Sequence, residues 1–102
     1  MRITLLLCLL ASTAHAGDLC APGRPHRGKV LDLAVTNADL HDVLRLLAET
    51  ADINLVVNQT VAGKVTLDLK HVAWDAAACT IAGLHHLRMT VDDNILLVMP
   101  IK

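Results

Sequence analysis

Two stretches of equal length decide the fold: LDLAVTNADLHDVLRLLAETADINLVV at residues 31–57 and VTLDLKHVAWDAAACTIAGLHHLRMTV at residues 65–91. In each stretch, apolar residues first alternate, then recur at helical spacing, and then alternate again. A shift of 34 positions superimposes ten apolar residues of the first stretch on ten of the second. The pattern predicts two tandem strand–helix–strand units, because strand-type alternation at both ends excludes an all-helical repeat.

The matched positions define a predicted core that includes the only aromatic residue, Trp74. The pairs are Leu31 with Val65, Leu33 with Leu67, Val35 with Leu69, Leu40 with Trp74, Val43 with Ala77, Leu44 with Ala78, Leu47 with Ile81, Ile53 with Leu87, Leu55 with Met89, and Val57 with Val91. Trp74 takes the place of Leu40 in the first turn of the second predicted helix. We therefore expect its ring to pack in the core above the small alanines.

Short polar segments are predicted to separate these elements. Asn37 is a favourable N-cap for the first helix. Residues 58–64, with Gly63 as the turn residue, join the two units, and Asp92-Asp93-Asn94 forms a hairpin turn before a last strand from Ile95 to Met99. The predicted fold class is therefore α+β, in the order βαββαββ.

The first 16 residues have the pattern of a cleavable export signal. Arg2 precedes an apolar run from Ile3 to Leu10, and Ala14-His15-Ala16 matches the small-x-small site of signal peptidase. Cleavage is therefore expected between Ala16 and Gly17. The run is shorter than the roughly 20 residues that span a bilayer, although an uncleaved anchor is the alternative. The mature chain is expected to be exported and to have no transmembrane segment.

Residues 17–29 form a basic, Pro/Gly-rich leader that we expect to be mobile or loosely docked, and residues 30–102 form a single domain. Export leaves two cysteines, Cys20 and Cys79. An isolated pair in an oxidising compartment suggests one disulfide, with free thiols or intermolecular pairing as alternatives. Helical spacing turns Cys79 and Asp75 away from the apolar side of their helix, where the leader that carries Cys20 can reach them.

The composition argues against nucleic-acid binding and catalysis. Trp74 is the only aromatic residue and the net charge is −1, so the chain has neither stacking surfaces nor a basic groove for a nucleic acid. The six histidines lack the spacing of metal ligands, and no serine lies outside the export signal. We therefore predict no catalytic, cofactor-binding or metal-binding residues.

Three segments carry a family resemblance: Asp39 to Ala48, Gly63 to Leu67, and Val72 to Ala77. Through them, the stretch from Leu31 to Pro100 resembles the short N-terminal domain of secretins and TonB-dependent signalling receptors, the STN family. The version in type IV pilus secretins is the most similar. The resemblance implies two helices packed between a two-stranded and a three-stranded sheet. It also implies a docking role at outer-membrane machinery in the periplasm, and it carries over no catalytic residue.

The expected function is that of a periplasmic protein–protein interaction module. The expected partners are components of an outer-membrane secretin of type II or III secretion, of a type IV pilus, or of a TonB-linked signalling system. In the family this domain opens a longer protein, whereas this sequence ends at Lys102, so we expect no pore from this chain itself. An exported enzyme, a small-ligand binder and a truncated secretin fragment are the alternatives.

The expected docking surface is an edge strand that accepts an extended segment from a partner. The strand from Ile95 to Met99 is nearly all apolar, and Leu96 and Val98 are the candidate partner-binding residues. In the alternative, this strand is central and is covered on both faces, because periodicity does not determine strand order.

Overall fold

The computed structural model describes residues 17–101, so the predicted signal peptide, residues 1–16, lies outside the described residues. The elements in chain order are β1 (Gly17–Asp18), β2 (Val30–Asp39), α1 (Leu40–Ala51), β3 (Asn54–Val57), β4 (Lys64–Ala73), α2 (Trp74–His85), β5 (Leu87–Asp92) and β6 (Ile95–Pro100). From β2 onward the order is βαββαββ, and the predicted α+β fold class is confirmed.

The 34-residue repeat extends to the boundaries of the elements. Helices α1 and α2 are each 12 residues long and begin at Leu40 and Trp74. Strands β2 and β4 are each ten residues long and begin at Val30 and Lys64. Both pairs are offset by 34 positions, so the long strand and the helix of the first half recur in the second half with the same lengths and spacing. Within residues 17–101, no helix is long and apolar enough to cross a membrane.

The N-cap of α1 is Asp39 and not the predicted Asn37. The Asp39 carboxylate accepts a hydrogen bond from the backbone N–H of His41 at 2.8 Å. Asn37 instead has a left-handed backbone with φ 51° and lies in an irregularity of the β2–β4 pairing. The chain therefore continues as a strand for two residues beyond Asn37 before the helix begins.

The strands form two sheets, a four-stranded sheet with the order β1-β5-β6-β3 and a two-stranded sheet of β2 and β4. The pairing of β3 with β6 is parallel, and the other pairings are antiparallel. Helix α1 contacts β2 and β3 while α2 contacts β4 and β5, so the helices lie between the sheets. The resemblance implied three strands in the larger sheet, and β1 of the leader adds the fourth.

The core lies where both helices meet the two sheets. Its largest fully buried side chains are Leu40, Leu44, Leu47, Ile81, Met89, Leu96 and Val98. Trp74 is half-buried and packs against this core from the start of α2. Burial of a side chain of this size contributes about 1.5–3 kcal/mol, so these residues are the main source of stability.

Candidate functional site: the sheet edges and the leader

The last strand is central, and the prediction that Leu96 and Val98 bind a partner is wrong. Strand β6 pairs with β5 on one side and with β3 on the other. The side chains of Leu96 and Val98 are both 0% exposed and belong to the core. Because nearly every residue of β6 is apolar, its sequence pattern did not distinguish the buried face from the exposed one.

The opposite face of β6 is exposed and continues onto β3. Four apolar residues lie there, Val56, Ile95, Leu97 and Met99, and we call them the outer sheet face. Val56 is 48% exposed, Met99 40% and Ile95 38%, while Leu97 is half-buried beside Val56 in the strand register. A contiguous exposed apolar patch of this kind is typical of protein–protein interaction sites.

In the part of the chain that the structure describes, strand β3 is a free edge of the four-stranded sheet. The amides of Asn54 and Asn58 donate toward β6, at 2.8 Å and 3.0 Å. In a parallel ladder the intervening residues, Leu55 and Val57, direct their N–H and C=O groups to the other side. No charged residue or proline occurs from 53 to 63, although such residues commonly protect sheet edges from pairing. This edge is therefore open to an additional strand.

The other edge of the sheet is covered by the leader, which is docked rather than mobile at its first residues. Gly17 and Asp18 pair with β5 in antiparallel orientation. The N–H of Leu19 donates to the carbonyl of Met89 at 2.9 Å, and the Leu19 side chain is only 3% exposed. Leu19 is thus part of the core, although its neighbours in the sequence are typical of loops.

The leader is also joined covalently to α2. Cys20 and Cys79, the predicted pair, form a disulfide with a Cα–Cα distance of 5.5 Å. Both residues are half-buried and line an open cavity of about 460 Å³. The other residues that line this cavity are Asp18, Ala82, Gly83, His86, Leu87, Arg88 and Ile101. The disulfide therefore lies at the surface of the domain.

The end of the leader crosses the first turn of α2. The N–H of Trp74 donates to the carbonyl of Lys29 at 2.8 Å, and the N–H of Gly28 donates to Asp75 Oδ1 at 3.3 Å. His26 Nδ1 lies 3.4 Å from the other carboxylate oxygen of Asp75. Asp75, which was expected to turn away from the apolar side of α2, is buried because the leader lies over it.

The remaining histidines of the described chain occupy structural positions. A ring nitrogen of His41 contacts the carbonyl of Val61. His71 and His86 have left-handed backbones, and His85 is the last residue of α2. Across residues 17–101, no group of three or more His, Cys, Asp or Glu side chains is placed to hold a metal ion.

Within residues 17–101, the fold and these surfaces define a small α+β module whose four-stranded sheet has a free edge at β3, an edge at β5 that the leader covers, and an apolar outer sheet face. Over 75 residues the chain is 37% identical to the fimbrial assembly protein PilQ of Pseudomonas aeruginosa. Over 73 residues it is 32% identical to the type IV pilus biogenesis and competence protein PilQ of Neisseria gonorrhoeae, and equally to that of Neisseria meningitidis.

These matches cover 72–74% of this chain but 10% of each PilQ protein. The chain thus spans about a tenth of the length of the curated relatives that it matches. No family model matches the chain. The relatives agree with the predicted resemblance to the pilus version of the domain, and the narrower STN assignment stays a prediction.

Proposed function

We propose that the protein is a periplasmic protein–protein interaction module that acts together with a type IV pilus secretin. The similarity to PilQ proteins over nearly three quarters of the chain carries this proposal. Among the systems that the sequence left open, these relatives favour the pilus. None of the relatives named above supports a TonB link.

An enzyme or a small-ligand binder is the other class to consider. The polar side chains that could serve such a site mostly hold the fold together. Asp75 accepts from the leader, His41 contacts a backbone carbonyl, and Asp32 accepts from the N–H of His71. Because function is carried by sites rather than by folds, the surfaces of this domain support a docking role better than a catalytic one.

We place the docking surface on the β3 edge together with the outer sheet face. An extended, uncharged segment of the secretin complex would pair with the outward N–H and C=O groups of Leu55 and Val57. Its alternate side chains would extend the apolar row of Val56 and Leu97. The absence of charge from 53 to 63 favours such a segment over a charged one.

The predicted signal peptide, residues 1–16, supports the proposed periplasmic location. The disulfide supports it too, since such bonds persist in oxidising compartments. Intact-mass analysis of the exported protein is expected to give a chain that begins at Gly17. Retention of Ala16 and the residues before it, or a lipid on Cys20, would contradict this processing.

Co-isolation with the pilus secretin from the cell envelope tests the proposed function. We expect the wild-type protein to be recovered with the secretin and the Val56→Lys variant to be lost from the complex at least tenfold. Ala34→Lys is the matched control, because Ala34 is also an exposed strand residue but lies in the two-stranded sheet. Equal recovery of both variants, or no recovery of the wild-type protein, would contradict the proposal.

A further inference from the structure

The leader binds the β5 edge in the way that an added strand from another protein would. Within residues 17–101, strand β1 has two residues, followed by one hydrogen bond from Leu19 to Met89 and by the buried Leu19 side chain. A pairing this short is weak by itself, because isolated short strands are marginal in water. The next residue, Cys20, carries the bond to α2 that compensates for it.

Beyond Cys20 the leader makes few contacts with the rest of the domain before its second attachment, which begins at His26. Residues 22–27 are exposed, and the hydrogen bonds between Asp18 and Arg24 are local to this segment. They are two backbone turn bonds of 3.3 Å and 3.2 Å, one from the Cys20 N–H to the Asp18 carboxylate at 3.0 Å, and one from Arg24 Nη1 to the Asp18 carbonyl at 3.1 Å. The contacts at α2 then begin with His26, whose Nδ1 lies 3.4 Å from the Asp75 carboxylate, and continue with Gly28 and Lys29. Loss of the bond at Cys20 would therefore free the leader as far as Pro25, while the second attachment from His26 to Lys29 stays in place.

The released segment would leave an apolar site at the sheet edge. Leu19 belongs to the same buried cluster as Met89, which is 0% exposed while the leader is docked. Removal of Leu19 would open that cluster and free the outward backbone groups of β5. A segment that pairs with β5 and carries a leucine-sized side chain at this position would close the site again.

Both cysteines are half-buried and line the open cavity beside α2, so a reductant would approach the bond through this cavity. A dithiol reductant would attack one sulfur of the Cys20–Cys79 bond and form a mixed disulfide. The second thiol of the reductant would then attack the reductant's own sulfur in the mixed disulfide and release the second protein thiol. The protein would be left with two thiols, and the reductant would leave as its own disulfide.

We propose that β1 is a displaceable strand held on β5 by the Cys20–Cys79 bond, and that reduction of this bond opens the β5 edge to an extended segment of another protein with a leucine at the position of Leu19. The proposal adds a second docking edge to the proposed function. Its test uses no pilus component, so the two proposals can fail separately.

Hydrogen exchange of the full exported chain tests the release of the strand. With dithiothreitol, or in the Cys20→Ser/Cys79→Ser variant, the Leu19 amide is expected to exchange at least tenfold faster than in the oxidised protein. The amide of Leu44 in the core is the internal control and is expected to keep its protection. Unchanged protection of Leu19 would overturn the proposal, because the disulfide would then not be what keeps β1 on β5. Equal loss of protection at Leu19 and Leu44 would also overturn it, because the disulfide would then stabilise the whole fold and not β1 alone.

A labelled peptide with the sequence of residues 17–24, carrying Cys20→Ser, tests the acceptor edge. We expect it to bind the double cysteine variant at least tenfold more tightly than the oxidised wild-type protein. The same peptide with Leu19→Asp is expected not to bind. Equal affinity for both proteins, no binding to either, or equal binding of the two peptides would overturn the acceptor edge.

Discussion

Asn37 and His71 hold equivalent bulges in the two halves of the chain. Both have a left-handed backbone, with φ 51° and 56°. The N–H of Asn37 donates to Thr66 Oγ1 at 2.9 Å, and the N–H of His71 donates to Asp32 Oδ1 at 2.7 Å. The acceptors are offset by the same 34 positions as the donors, so the internal repeat includes the bulges as well as the core.

The left-handed backbone of His71 predicts a stabilising substitution. His71→Gly is expected to raise the free energy of unfolding by about 0.5–1 kcal/mol, because only glycine adopts this conformation without a Cβ penalty. Asn37→Gly is the matched control and is expected to gain less, since asparagine tolerates the left-handed region better than histidine. Urea unfolding measures both values. A loss of stability in His71→Gly would contradict the assigned backbone.

The contact between Gly28 and Trp74 predicts that a single methyl group disturbs the leader. A Cβ at Gly28 would lie 2.2 Å from Cδ1 and Nε1 of the Trp74 ring. Gly28→Ala is therefore expected to lower the free energy of unfolding by about 1–3 kcal/mol, as overpacking does. Gly83→Ala is the control, because nothing lies within 4 Å of its added Cβ in α2. There we expect a gain of about 0.5–1 kcal/mol, and equal effects at both sites would count against this packing.

Loss of the disulfide is expected to lower stability without abolishing the fold. Cys20 and Cys79 are 59 positions apart, and the loop-closure estimate for that span is about 4 kcal/mol. Release of the leader in the native state would make the measured loss in Cys20→Ser/Cys79→Ser smaller than this. Urea unfolding of the variant and of the oxidised protein gives the difference. Two alkylatable thiols in oxidised protein would show that the bond is absent.

The orientation of β6 predicts opposite results for adjacent substitutions. Val98→Lys places a charge among fully buried residues and is expected to cost more than about 4 kcal/mol, enough to unfold the domain. Leu97→Lys lies on the outer sheet face and is expected to change stability by less than about 1 kcal/mol. Thermal unfolding followed by circular dichroism separates the two. A larger loss of stability in Leu97→Lys than in Val98→Lys would show that the buried face of β6 is wrongly assigned.

Much of the fold follows from periodicity in the sequence. The spacing of the apolar residues gave both helices and the main strands, since helices and strands bury side chains with different periods. The start of α1 was misplaced because Asn37 is suited both to an N-cap and to a left-handed bulge. The hydrogen bond to Thr66 favours the bulge, and that partner is 29 positions away in the sequence.

The surfaces were harder to predict than the core. The disulfide partners could be named because only two cysteines remain outside the export signal. The docking of the leader could not be predicted, because its buried side chain, Leu19, has no periodic apolar neighbours in the sequence. The free edge at β3 depends on the order of strands in the sheet, and an apolar strand such as β6 carries no pattern that fixes this order.

Site-specific photo-crosslinking in intact cells is the most direct test of the proposed docking role in the pilus machinery. A photoreactive amino acid would replace Val56 on the outer sheet face or, as the control, Ala34 on the two-stranded sheet. We expect an adduct between position 56 and the type IV pilus secretin complex, identified by mass spectrometry, and no such adduct from position 34. Adducts from position 34 alone, or none with a pilus component from position 56, would contradict it.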